Sequence, residues 1–107
     1  MNITEKKNAG KYYSAAYYLD GCGPDYNDRD FWCPQFQKIA EKINSIYQPR
    51  TFLDVGCAYG YLVEALRDLG VDAYGVDVSE YAISQVREDI RPYCRVCDAV
   101  RDFPHQE

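Results

Sequence analysis

Between Thr51 and Cys97 the chain passes through three short apolar runs separated by two helical stripes, and no other feature of the sequence restricts the fold so tightly. Thr51-Phe52-Leu53-Asp54-Val55, closed by Gly56, reads as a buried parallel strand. Leu62, Val63, Leu66 and Leu69 share one face of a helix expected over about 60–69, and Gly70 sits where a left-handed residue ends such a helix. A second strand is expected at about 71–76. Ser79 can cap a helix of about 80–90 whose stripe is Ala82, Ile83, Val86 and Ile90, until Pro92 forbids continuation. Tyr93-Cys94-Arg95-Val96-Cys97 then reads as a third strand. Strands joined by helices in this way make right-handed crossovers, so the expectation is an α/β fold whose parallel sheet carries helices packed on it.

The chain ahead of this unit has two parts. Residues 1–29 hold Tyr12, Tyr13, Tyr17, Tyr18 and Tyr26 among Asn, Asp and Gly with no sustained period, and read as an N-terminal arm or lid. An aromatic arm can close over a ligand, with Tyr13 and its neighbour Tyr12 as candidates, or can cover a bare sheet face. Residues 30–107 read as one domain, which a length of 107 residues allows. It opens with an amphipathic helix over about 31–47 carrying Trp32, Phe36, Ile39, Ala40, Ile43 and Ile46, with Pro34 in its first turn and Pro49 as its stop.

No apolar run approaches the roughly 18 residues of a membrane helix, and the start lacks a signal-peptide core, so a cytosolic, membrane-free protein is expected. In that compartment Cys22, Cys33, Cys57, Cys94 and Cys97 are expected as free thiols. Cys94-x-x-Cys97 has metal-knuckle spacing, and Cys22 with Cys33 would complete four thiolates, but residues 94 and 97 fall in a predicted strand and read as core thiols, with no metal expected. His105 reads as a solvated residue near the end of the sequence. Residues 51–107 carry eleven acidic against five basic side chains, a sign that repels phosphate backbones and ranks nucleic acid low as a partner.

The chemistry gathers at strand ends. Asp54-Val55-Gly56-Cys57-Ala58-Tyr59-Gly60 runs from a strand straight into a helix, a turn whose glycines let a ligand approach the backbone and whose helix start offers N–H groups. A single glycine would suffice for a plain connection. Asp54 is the more telling residue, because a carboxylate at the end of an apolar strand is costly unless something uses it. Asp77 ends the second strand, 21 residues after Gly56, where doubly wound sheets place an acid for ribose hydroxyls; the plainer alternative is a loop aspartate ahead of the Ser79 cap. The turn reads G-x-x-x-G, with Ala58 where a dinucleotide fingerprint has its middle glycine, and an acid at the first strand end suits a cationic ligand better than a diphosphate. NAD and FAD therefore rank second.

Phe52 to Gly60, then Gly75-Val76-Asp77-Val78-Ser79, then Cys97-Asp98-Ala99 resemble the first three motifs of class I S-adenosylmethionine-dependent methyltransferases, over about residues 50–103. The resemblance implies a Rossmann-like doubly wound parallel sheet, here stopping after the third strand, where the family continues in the order 3-2-1-4-5-7-6. It implies S-adenosylmethionine as cofactor. Asp54, with Gly56, Cys57, Ala58 and Gly60, would receive the methionine part; Asp77 would hold the ribose, Val78 would pack on adenine, and Asp98 with Ala99 would read the adenine edge. Ala58 stands where the family usually has glycine. A small-molecule methyl acceptor is the expected substrate, with no catalytic residue assigned; a binding module without turnover and a nicotinamide-dependent oxidoreductase are the rivals. With the fourth strand missing, the first becomes a hydrophobic edge, and we expect two copies to pair as a homodimer through that strand or through the helix faces.

Overall fold

The computed structural model describes residues 25–98 and residue 101. Asp28 opens the first helix by accepting a hydrogen bond on its carboxylate from the Phe31 N–H, and α1 runs over Arg29–Tyr47. Pro34 falls early enough in it to be tolerated, and Gln48 closes it in the left-handed conformation. The chain then alternates as expected: β1 is Thr51–Val55, α2 Tyr61–Asp68, β2 Asp72–Asp77, α3 Glu80–Ser84 and β3 Cys94–Val96. Both strand pairings are parallel, and the sheet order is β1-β2-β3.

Alternation along the strands sorts the sheet into two faces. Phe52, Asp54, Ala73, Gly75, Asp77 and Cys94 share the face that α2 covers. There Val63, Leu66, Val86 and Ile90 pack on Ala73 and Cys94 to make the main core, with α1 laid against α2 through Ala40 and Ile43. Gly75 is the closest approach: a Cβ built on it would stand 2.7 Å from Cys57 Cβ and Sγ and 3.0 Å from Val63 Cγ2. Only glycine lets α2 and its leading turn settle this low on the sheet.

Two expectations are corrected. Among the described strands β1 lies at the edge, and Leu53 and Val55 on its uncovered face are 47% and 56% exposed, so it is not buried; the hydrophobic edge anticipated for it is present. The third helix stops at Ser84, well short of residue 90. Its apolar stripe is still buried, since Val86 and Ile90 reach the core from turns. Arg91 Nη2 donates to the carbonyls of Ser84 and Val86, taking the place of helical N–H donors, and Pro92 lies in the 3-10 turn Arg91–Tyr93 that feeds β3.

At the far end of the sheet from the strand tips, Arg67 Nε donates to the Ala73 carbonyl (2.6 Å) while its guanidinium lies over Tyr93 and pairs with Asp72. On the α1 side, the Glu64 carboxylate ties three segments together through Arg29 (2.6 Å) and Arg87 (3.3 Å).

Candidate functional site

Because the strands are parallel, their carboxyl ends lie together, and the turn from β1 into α2 crosses this end. The N–H groups of Gly56 and Cys57 both donate to the Val76 carbonyl, at 2.8 and 2.9 Å, which staples the turn to the end of β2. Gly56 has φ +85° and is exposed, and nothing lies within 4 Å of the place a Cβ would occupy. Its backbone is therefore open to a close-lying ligand.

Asp77 is 7% exposed and its carboxylate is clamped. Oδ2 accepts from the Ala58 N–H at 2.7 Å and Oδ1 from the Ser79 N–H at 2.9 Å. Each oxygen keeps a second lone pair, so the carboxylate is oriented by the protein and still able to accept from a ligand. Ala58 makes its bond from a left-handed backbone, φ +51°, a conformation costing an alanine roughly 1–2 kcal/mol. Ser79 continues the arrangement by capping α3 through its hydroxyl, which accepts from the Ala82 N–H.

Asp54 shares the α2 face with Asp77 and is half-buried, with no hydrogen bond or ion pair among the described residues. Burial, and then the charge of Asp77, push its carboxyl above the usual carboxylate range. An unpaired acid next to a clamped one favours a ligand that brings positive charge to the first and hydroxyl donors to the second.

Of the other residues singled out from the sequence, Val78 is half-buried beside Asp77, and Asp98 follows β3 at the same end of the sheet, its carbonyl accepting from the Arg101 N–H. Ala99 and Tyr13, with Tyr12, lie outside the described residues. The N–H groups of Gly56, Ala58 and Gly60 all donate within the protein, the last to the Cys57 carbonyl at 2.8 Å, while no side chain caps the start of α2. What the turn presents is open space over Gly56. The Cys57 side chain lies beneath the turn against Gly75, leaving only backbone for a ligand.

An aromatic cluster beside the turn escaped the sequence reading. Tyr59 and Tyr61 flank Gly60, are both nearly fully buried, and pack with Tyr26, Trp32, Phe36 and Tyr81. The Tyr61 hydroxyl donates to the Tyr26 carbonyl, and Trp32 Nε1 to that of Asp25 (3.0 Å), so the segment ahead of α1 is held against the turn. Aromatic residues on either side of a turn glycine were the available signal. The described cysteines, Cys33, Cys57, Cys94 and Cys97, are free thiols, and no three His, Cys, Asp or Glu side chains gather as a metal site among the described residues.

A family model described as a methyltransferase domain matches residues 25–106. The chain belongs to this methyltransferase family. Solved structures share the fold of its sheet. The plantazolicin methyltransferase BamL, solved with a triazolic desmethylPZN analog and SAH, superposes with a TM-score of 0.53 at 17% identity, covering 97% of this chain and 44% of its own. The PH0226 protein of Pyrococcus horikoshii OT3 superposes with a TM-score of 0.52 at 25% identity, covering 78% of this chain and 37% of its own. In sequence, a probable tRNA (uracil-O(2)-)-methyltransferase of Caenorhabditis briggsae is 52% identical over 42 residues, which is 37% of this chain and 8% of that protein. The methyltransferase chain described here thus spans less than half the length of these relatives. Among its described residues no helix is long and apolar enough to cross a membrane.

Proposed function

We propose that this methyltransferase-family chain binds S-adenosylmethionine at the carboxyl end of its sheet and serves methyl transfer to a small molecule. The observation that carries the reading is the pair Asp54 and Asp77: one carboxylate half-buried and unpaired, the other fixed by two backbone N–H groups, beside an open glycine backbone. The donor set suits the cofactor. Asp54 would face its ammonium end, Asp77 would take the ribose hydroxyls on its remaining lone pairs, Val78 would pack on the adenine, and Asp98 would lie at the adenine edge. The bound cofactor supplies an activated methyl group on a sulfonium. The chain's own part is to hold that group and to keep water from it, which the aromatic cluster against the turn favours.

A small acceptor is preferred to RNA because acidic residues outnumber basic ones eleven to five over residues 51–107. Calorimetry of the chain against S-adenosylmethionine, S-adenosylhomocysteine and NAD tests the cofactor. Heat from the first two and none from NAD is expected; binding of NAD alone would overturn the reading. Formation of S-adenosylhomocysteine when small hydroxyl and amine acceptors are supplied, and not with tRNA, tests the acceptor class. Turnover with tRNA alone would reverse that assignment.

A further inference from the structure

Two thiols that the methyl-transfer reading does not use meet beneath the cofactor turn. Cys57 belongs to the turn and Cys94 begins β3; they are 4% and 5% exposed. Cys94 is the register neighbour of Gly75, and Gly75 is the residue against which Cys57 rests. With no side chain at position 75 between them, Cys57 Sγ, 2.7 Å from the place a Cβ on Gly75 would take, lies beside Cys94 on the α2 face of the sheet. The interaction of the two thiols, and then burial, hold the proton on Cys57, while the same interaction draws the Cys94 thiol below its ordinary range. Among the described residues Cys33 has no such partner: its thiol donates to Glu64 Oε2 at 3.8 Å, and burial pushes it up.

We propose that Cys57 and Cys94 are a redox pair which hydrogen peroxide converts into a disulfide, tying the turn to β3 and weakening cofactor binding. In the first step the Cys94 thiolate attacks one peroxide oxygen, the O–O bond breaks, and Cys94 becomes a sulfenic acid as hydroxide leaves and takes a proton to become water. In the second, Cys57 sulfur attacks the Cys94 sulfur, the S–O bond breaks, and the Cys57 proton leaves with the oxygen as a second water. Two thiols lose two electrons in all, and one peroxide gains them.

The consequence for the site follows from what Cys57 is joined to. Its Cβ already rests on Gly75, so drawing the two sulfurs to bonding distance has to move the turn itself. The next residue, Ala58, holds Asp77 Oδ2 through its N–H at 2.7 Å. Hydrogen bonds weaken steeply with misalignment, so a shifted Ala58 releases Asp77 from its clamp. This last step rests on the proposed cofactor site; the cross-link does not.

The test uses the full chain, fully reduced and then titrated with hydrogen peroxide. Intact mass and peptide mapping read the cross-link, and calorimetry with S-adenosylhomocysteine reads affinity before oxidation, after it, and after dithiothreitol. The expected result is a Cys57–Cys94 peptide, an affinity loss of about tenfold or more, and recovery on reduction. A Cys94→Ser chain should keep its affinity under peroxide, and the mapping on the parent chain decides the matter if that variant does not fold. Thiols that all stay titratable after denaturation, a cross-link confined to other cysteines, or a cross-linked chain that binds as tightly as the reduced one would each overturn the switch. If the reduced chain fails to bind, the cofactor reading falls in that arm and the switch falls with it. Failure of the switch alone appears only in the oxidised arm.

Discussion

Gly75→Ala is the sharpest test of how the fold is assembled. The added Cβ would stand 2.7 Å from Cys57 Cβ and Sγ and 3.0 Å from Val63 Cγ2, against about 3.5–4.0 Å for an unstrained carbon contact. The first obstacle is a Cβ attached to the backbone of a stapled turn, so it cannot rotate away, and the turn with the start of α2 must lift by roughly an ångström. Overpacking of that kind costs about 1–3 kcal/mol, offset by about 0.5–1 kcal/mol because alanine loses less chain entropy than glycine in a strand. The net loss is about 1–2 kcal/mol, a fall in Tm of about 5–15 °C for a chain of this size. Thermal unfolding followed by circular dichroism measures it. Gly70 provides the control: φ is +90° and its Cβ position is open, so Gly70→Asn should be milder than Gly70→Ala, since asparagine tolerates the left-handed region. At position 75 the order should reverse, because asparagine is larger. A Gly75→Ala chain melting within about 2 °C of the parent would refute the close-approach argument.

Other positions give separable outcomes. Ala58→Gly removes the left-handed penalty at a larger entropic loss and should stabilise the chain by about 0.5–1 kcal/mol, read by urea unfolding. Asp54 titrates above the usual range because of burial and then Asp77, so the folded state holds this proton more tightly than the unfolded one. Ionising it opposes folding, and this group's contribution to stability rises as pH falls through its folded pKa towards the ordinary value. Asp54→Asn should therefore raise Tm at neutral pH and flatten that part of the pH–Tm profile, while lowering affinity for S-adenosylmethionine about tenfold or more; calorimetry reads the affinity. Glu64→Gln takes the charge from a nearly buried carboxylate facing Arg29 and Arg87. Both arginines are partly exposed, so the expected loss is about 1–2 kcal/mol, measured by urea unfolding. The pairing of two copies along the free β1 edge remains our proposal; Leu53→Lys should abolish it in light scattering, and a parent chain that stays monomeric at high concentration refutes it.

The sequence made the sheet and its carboxyl end legible because the signals there are local. The apolar run ending in Asp54, the glycine at 56, the αL glycine at 70 and the Ser79 cap each act over a few residues, and each element they mark is present. The third helix misled because a stripe shows that Val86 and Ile90 are buried, not by what backbone. Turns bury them equally well once Arg91 reaches back to the open carbonyls. The burial assigned to β1 failed for a related reason: an apolar run fits a strand with either one face or both covered, and Leu53 and Val55 lie on the uncovered face. Asp77 was recognisable as an acid at a strand end, but its clamp joins residues 58, 77 and 79 and depends on the turn's path over β2. The Cys57–Cys94 pair was out of reach, since it depends on the register that sets Gly75 beside Cys94.

These contacts form one chain of consequence. The missing side chain at Gly75 lets Cys57 rest on the sheet; Cys57 fixes the height of the turn; the turn aims the Ala58 N–H; and that N–H orients Asp77. Packing and ligand recognition are therefore the same contacts, and a change that lifts the turn should lower stability and cofactor affinity together. The Glu64 carboxylate supports the fold through α1 and the segment after α3, and makes no hydrogen bond or ion pair to the turn. Removing its charge should lower stability and leave affinity nearly unchanged. Plotting affinity against stability for changes at 75, 58 and 64 separates these routes: the first two positions should move both quantities in concert, and the third only one. If all three fell on a single line, the turn would be responding to global stability, and the Gly75–Cys57–Ala58–Asp77 linkage would lose its special role.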